Sequence, residues 1–202
     1  NIMNKVFIPI IDNSKVSAIK YKYVEKTPYD YVMRKYKNQA LLTGARSDCT
    51  VLDIDPEGLN EWAEYVAKYG EPMTAKAQTP RGGFHYVFNY ISCIIQTTHI
   101  GKDEGWDIRN DGGYILIEPS SIDGKSYKWI RNLDTAILDM PEELISYLTT
   151  FYIKSEKKQK HPLPEDTFET DLIYYIDDED LVTLLDQLPQ HICDGKHWYG
   201  VT

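Results

Sequence analysis

In the stretch Thr50-Val51-Leu52-Asp53-Ile54-Asp55-Pro56, acidic and apolar side chains alternate until a proline ends the run. On a strand, residues two apart share a face, so Asp53 and Asp55 point one way while Leu52 and Ile54 enter a core. Two carboxylates that close repel each other unless a cation lies between them. Oxygen ligands of this type suit magnesium or manganese. The pair alone also fits a strand end whose acids meet water, or a helix starting just beyond Pro56.

Working outward, Val6–Ile11 and Ala40–Thr43 are short apolar runs of strand type, the second closed by Gly44. Pro28 is placed to open a helix running through Tyr31, Val32 and Tyr36 to about Asn38. Downstream, Leu59, Trp62, Ala63 and Val66 give helical spacing over Leu59–Tyr69, with Gly70 as the stop. A Pro80-Arg81-Gly82-Gly83 turn leads into an alternating strand, Phe84–Phe88. Trp106–Arg109, Tyr114–Glu118 and Ser126–Ile130 read as further strands, with Gly112-Gly113 and Asp123-Gly124 as turns. Strands interleaved with few helices predict an α+β (mixed α/β) domain over residues 1–150. A charged, proline-bearing linker is expected over 151–167, and a helical connector marked by Leu181, Leu184, Leu185 and Leu188 over 168–202.

The chain has 202 residues and a net charge of −9, which taken whole disfavours nucleic acid as a partner. The charge is unevenly spread. Residues 151–202 carry 5 Lys and Arg against 11 Asp and Glu, whereas residues 15–46 carry eight positive side chains against Glu25 and Asp30. That basic stretch is either a phosphate-binding surface, with Lys20, Lys22, Lys35 and Lys37 as its candidates, or a solvated face. Cys49, Cys93 and Cys193 lie far apart without a C-x-x-C pair, which argues against a zinc ribbon or a disulfide framework and for unpaired thiols in a cytoplasmic protein. No run approaches the ~20 apolar residues needed to span a bilayer, so no membrane partner is expected.

Two more elements add chemistry. In Arg81-Gly82-Gly83-Phe84-His85, two glycines that let a backbone approach an anion stand beside an arginine and a histidine. His85 alternates with Phe84 and Tyr86 and so faces away from the aromatic side of its strand. In Asp107-Ile108-Arg109 a carboxylate and a guanidinium share a face. A surface ion pair would look the same, but an acid for a metal and an arginine for a triphosphate are what nucleotidyl transfer requires. Gly124-Lys125-Ser126 resembles the end of a phosphate-binding loop, yet Pro119 stands where that loop needs its first glycine.

In this order, Val51–Pro56, Gly82–Phe88, Asp107–Arg109 and Gly112–Ser121 resemble the bifunctional DNA primase/polymerase family of archaeo-eukaryotic primases. Leu42-Thr43-Gly44 and Tyr127-Lys128-Trp129 are similar to it as well, so the likeness spans about residues 5–150. The resemblance implies an N-terminal α/β layer packed on a sheet like that of RNA-recognition-motif folds, with the active cleft between. It implies that Asp53, Asp55 and Asp107 hold two Mg2+ or Mn2+ ions; some relatives carry a zinc-binding stem, but the scattered cysteines here exclude one, so no zinc is expected. Arg81, Gly82, Gly83, His85, Arg109 and Ser120 would bind the nucleoside triphosphate, although Gly83 stands where several relatives carry serine. The implied activity is template-directed primer synthesis and extension on single-stranded DNA, in a mobile element, phage or virus. The run from Leu184 through Val201 is similar to connectors that precede a helicase, so a helicase in the same full-length chain is expected, with this sequence an excised piece. Two other readings remain at this stage: a non-catalytic nucleic-acid-binding module, with Phe84–Phe88 stacking bases, and a two-metal nuclease.

Overall fold

The computed structural model describes residues 4–158, and their side chains up to residue 151. In chain order the strands are β1 (Phe7–Ile10), β2 (Asn38–Leu42), β3 (Thr50–Ile54), β4 (Ala75–Gln78), β5 (Phe84–Phe88), β6 (Thr97–Ile100), β7 (Trp106–Arg109), β8 (Tyr114–Ile117), β9 (Ser121–Ile122), β10 (Lys125–Ser126) and β11 (Lys128–Arg131). The helices are α1 (Asp30–Met33), α2 (Leu59–Tyr69) and α3 (Glu142–Lys158). Six strands form one sheet in the order β11-β4-β5-β3-β7-β6, and β1-β2-β8 form a second. Neighbours in both sheets pair antiparallel. The fold is therefore mixed α+β, as the alternation of patterns predicts.

Period-two alternation gives the large sheet two different faces. Leu52, Ile54, Tyr86, Phe88, Trp106 and Ile108 are buried with Trp62 and Tyr65 of α2 and Leu144 and Leu148 of α3. The opposite face carries Val51, Ala75 and Val87, which pack with Leu41, Ile115 and Ile117 of the small sheet. One face is thus closed by helices and the other partly by a second sheet, leaving a cleft between the sheets. Asp53 stands on the cleft face, at the inner end of β3.

Several elements differ from expectation. The helix opened by Pro28 is a single turn, because Asn38 already pairs with Ile10 in the small sheet. β4 was hidden by its composition: alanine, lysine and glutamine are poor strand formers, but β4 lies between β11 and β5, with Ala75 and Ala77 fully buried. β6 is an edge strand whose register shifts between Thr97 and Ile100. α3 continues past residue 150 because its Glu and Lys residues are good helix formers and no proline stands between Glu142 and Pro162. The rest of the expected linker and the 168–202 connector lie outside the described residues. Cys49 is free and buried, and Cys193 lies outside the described residues. Among the described residues, no helix is long and apolar enough to cross a membrane.

Candidate active site

Register brings the site together. Asp53 on β3 is directly opposite His85 on β5 and directly opposite Asp107 on β7. Cross-strand partners share a face, so the three side chains form one row over three adjacent strands. Arg109 lies one step along the same face, opposite Val51.

The row is tied together by short contacts. His85 Nε2 is 3.4 Å from Asp53 Oδ1. Arg109 Nη2 donates to Asp107 Oδ2 at 2.5 Å and stands 3.8 Å from Asp53 Oδ2. The other Asp107 oxygen accepts the His99 amide at 2.9 Å. His85 is 4% exposed, and its Nδ1 is buried without a hydrogen-bond partner among the described residues. The Tyr127 ring stacks on the imidazole at 5.8 Å. Asp55, just past β3, continues the ladder through its amide to the Gly105 carbonyl at 2.8 Å. Its carboxylate lies 3.7 Å from Arg81, which also donates to Glu57 at 2.8 Å.

Electrostatics separates the two acids of β3. Burial raises the pKa of Asp53, but His85, Arg109 and Lys15 outweigh it and hold the carboxyl below the usual range. Asp55 is raised, first by burial and then by repulsion from Asp53, with Asp107 and Glu57 adding to it and Arg81 opposing. Burial, with Asp53 and Asp55, pushes the Tyr127 hydroxyl up to about 12. The site is therefore a partly buried concentration of negative charge with cations on its walls.

Two adjoining cavities border the row. One, of about 280 Å³, is lined by Asp53, His85, Arg109, Gln96, Tyr21, Tyr127, Lys15 and the stretch Gly112–Leu116. Consecutive residues of β8 line it, so a strand edge forms that wall. The other, of about 250 Å³, takes in Asp53, Asp55, Arg81, His85, Lys125, Tyr127 and again Lys15. Among the described residues, no three His, Cys, Asp or Glu side chains stand together as a ready metal cluster. The Arg109 guanidinium is the cation that now lies between Asp53 and Asp107.

Most of the expected site residues meet here: Asp53, Asp55, Asp107, Arg81, His85 and Arg109. Gly82 lies in the adjoining turn at φ +96°, but its amide is taken by the Thr79 carbonyl at 2.9 Å. Gly83 touches the end of β3. Ser120 is not brought in; it is fully buried, and its hydroxyl donates to the Gln39 carbonyl at 2.7 Å and accepts the Gln39 amide at 2.8 Å. Lys20, Lys22, Lys35 and Lys37 are exposed and line neither cavity. Base stacking on Phe84–Phe88 is overturned, because Tyr86 and Phe88 are fully buried against the helices. Lys15, Tyr127 and Lys125 were missed. Lys15 was visible only as one charge of a basic stretch, and Lys125 only within the imperfect phosphate-loop pattern.

No curated protein matches this chain. A family model described as bifunctional DNA primase/polymerase, N-terminal, matches residues 17–143, which include β2 through β11 and the whole acidic row. With more than half of its length matched, the chain belongs to the bifunctional DNA primase/polymerase family.

Proposed function

We infer that this chain, as a member of that family, has DNA primase/polymerase activity in general. We propose, more narrowly, that this chain is the catalytic domain of a template-directed enzyme that starts and extends primers on single-stranded DNA by two-metal nucleotidyl transfer. The observation that supports it is the His85–Asp53–Asp107 row in direct cross-strand register, bordering a cleft walled by Arg109, Arg81, Lys15 and Lys125.

The donor set fits hard divalent cations. Asp53, Asp55 and Asp107 offer oxygen donors, Arg109 already draws two of them toward one positive charge, and Asp55, raised first by burial and then by Asp53, carries a repulsion that a cation would relieve. Asp53, Asp55 and Asp107 would hold such ions, which would supply the charge that acidifies a primer 3′-hydroxyl and offsets the leaving pyrophosphate. The side chains do the rest. Asp53 holds the imidazole of His85, Tyr127 buttresses that ring, and His85, Arg81 and Arg109 offer donors and charge to a triphosphate. Lys15 and Lys125 add charge from the facing walls, and Lys20, Lys22, Lys35 and Lys37 serve template phosphates. The setting is replication of a mobile element, phage or virus, with a helicase in the same full-length protein; the likeness of residues 184–201 to such connectors supports it.

The test supplies template, labelled nucleotides and Mg2+ or Mn2+, with and without a primer, and sizes the products. Template-dependent products in both arms are expected. Their absence, or shortening of the template, contradicts the reading.

A further inference from the structure

The two most exposed large apolar side chains among the described residues are Tyr23, at 81%, and Tyr29, at 79%; Ile95, at 69%, and Tyr31, at 67%, come next. The three tyrosines fall within nine positions of one another, in the part of an acidic chain that is basic. Single exposed aromatics are ordinary. Three together, with Lys26 among them, Lys20 and Lys22 before them and Lys35 and Lys37 after them, combine rings that accept a stacked base with charges that accept a phosphate.

The segment is held in place. Arg46 Nη1 donates to the Tyr21 carbonyl at 2.8 Å, and the Phe7 amide of β1 donates to the Thr27 hydroxyl at 3.0 Å. The Tyr29 and Tyr31 rings are 6.1 Å apart and parallel within 10°, so both present faces in the orientation of a base stack. Lys22 Nζ lies 5.8 Å from the Tyr23 ring centroid. The inner end of the segment reaches the active site. Tyr21 lines the larger cavity, meets Tyr114 edge-on at 4.9 Å, and donates to the Gly112 carbonyl at 3.4 Å.

We propose that residues 20–37 form a track for the single-stranded DNA template, with Tyr23, Tyr29 and Tyr31 stacking unpaired bases and Lys20, Lys22, Lys26, Lys35 and Lys37 taking phosphates. The identity of the strand as template rests on the primase–polymerase reading; the preference for unpaired bases does not. A duplex hides its base faces, so the rings select single strands, whereas the lysines alone serve both forms.

The experiment measures anisotropy of a labelled thymidine 20-mer and of a duplex of equal length, without nucleotide or divalent ion. It compares wild type with Tyr→Ser at positions 23, 29 and 31 together, Tyr→Phe at the same positions, and Lys20→Glu with Lys22→Glu. The serine protein should bind single strands about tenfold or more weakly, with its salt slope unchanged and little change on duplex. The phenylalanine protein should stay within about twofold, since the ring faces remain. The lysine protein should show a salt slope smaller by roughly 0.7 for each phosphate no longer neutralised. Single-strand binding by the serine protein within about twofold of wild type overturns the track and leaves the surface to a protein partner. Equal weakening on single strand and duplex, or equal weakening with serine and phenylalanine, overturns it too. Primer extension by wild type, run in parallel, separates the two ideas. Extension with normal binding by the serine protein removes the track alone; no extension with selectively weakened single-strand binding removes the template reading and keeps the track.

Discussion

A Cβ on Gly83 would stand 2.1 Å from the Ile54 carbonyl oxygen and 3.2 Å from Asp55 Cα. The turn before β5 therefore approaches the acidic end of β3 as only glycine allows, and a serine at this position would not fit without a shift. Gly83→Ala should cost about 1–3 kcal/mol, the usual range for overpacking, seen as a lower urea midpoint at unchanged slope. At this scale the sequence was readable wherever strand alternation decides which way a side chain points. Asp53, Asp55, His85, Asp107 and Arg109 all follow from counting by twos. Ser120 was misplaced because a motif does not say where a hydroxyl spends its hydrogen bonds, and here both go to Gln39. Lys15 and Tyr127 join Asp53 in the cavity lining from other parts of the chain; no local pattern gives Lys15 that place, and Tyr127 shows only in the Tyr127-Lys128-Trp129 likeness, which does not say what its ring touches.

Between elements, Glu71 ties the chain after α2 to the large sheet. It accepts from Lys76 of β4 and from the Tyr86 hydroxyl of β5, both at 2.6 Å, and lies 3.7 Å from Arg131 of β11. Burial raises its pKa, but Lys76, Tyr86 and Arg131 outweigh that and hold it below the usual carboxylate range. A depressed folded pKa gives stability that is present above the unfolded value, about 4.3, and is lost as pH falls through the folded one. The thermal-midpoint gap between wild type and Glu71→Gln should be constant near neutrality and close as pH drops below about 4. A gap that stays constant into acid would deny the network this role. Elements with strong patterns, α2 above all, were legible to the residue. β4 and α3 were not, since pairing on both sides and packing of Leu144 and Leu148 override or extend what local composition suggests.

At the scale of the molecule, the helix-covered sheet and the small sheet leave a cleft among the described residues, with Asp53 and His85 of the acidic row lining it. The overall net charge of −9 is a poor guide to partners here, because the basic stretch and the acidic 151–202 region are separate in sequence. All proposed catalytic and nucleotide-binding residues, and α3, precede residue 159. A protein ending at Lys158 should therefore extend a primer at close to the full rate but start new primers more slowly, since starting requires two nucleotides to be held without a primer. Equal rates of starting by both proteins, measured as dinucleotide formed per minute, would take residues 159–202 out of initiation.

Asp53→Asn, Asp55→Asn and Asp107→Asn each keep side-chain shape while removing one negative charge from the row, so nucleotide addition to a primed template is the measurement that decides. Each substitution should lower addition by about a thousandfold or more, several kcal/mol of transition-state stabilisation, with single-stranded DNA binding kept or slightly improved. Folded Asp53→Asn and Asp107→Asn proteins that extend primers at near wild-type rates would contradict the account.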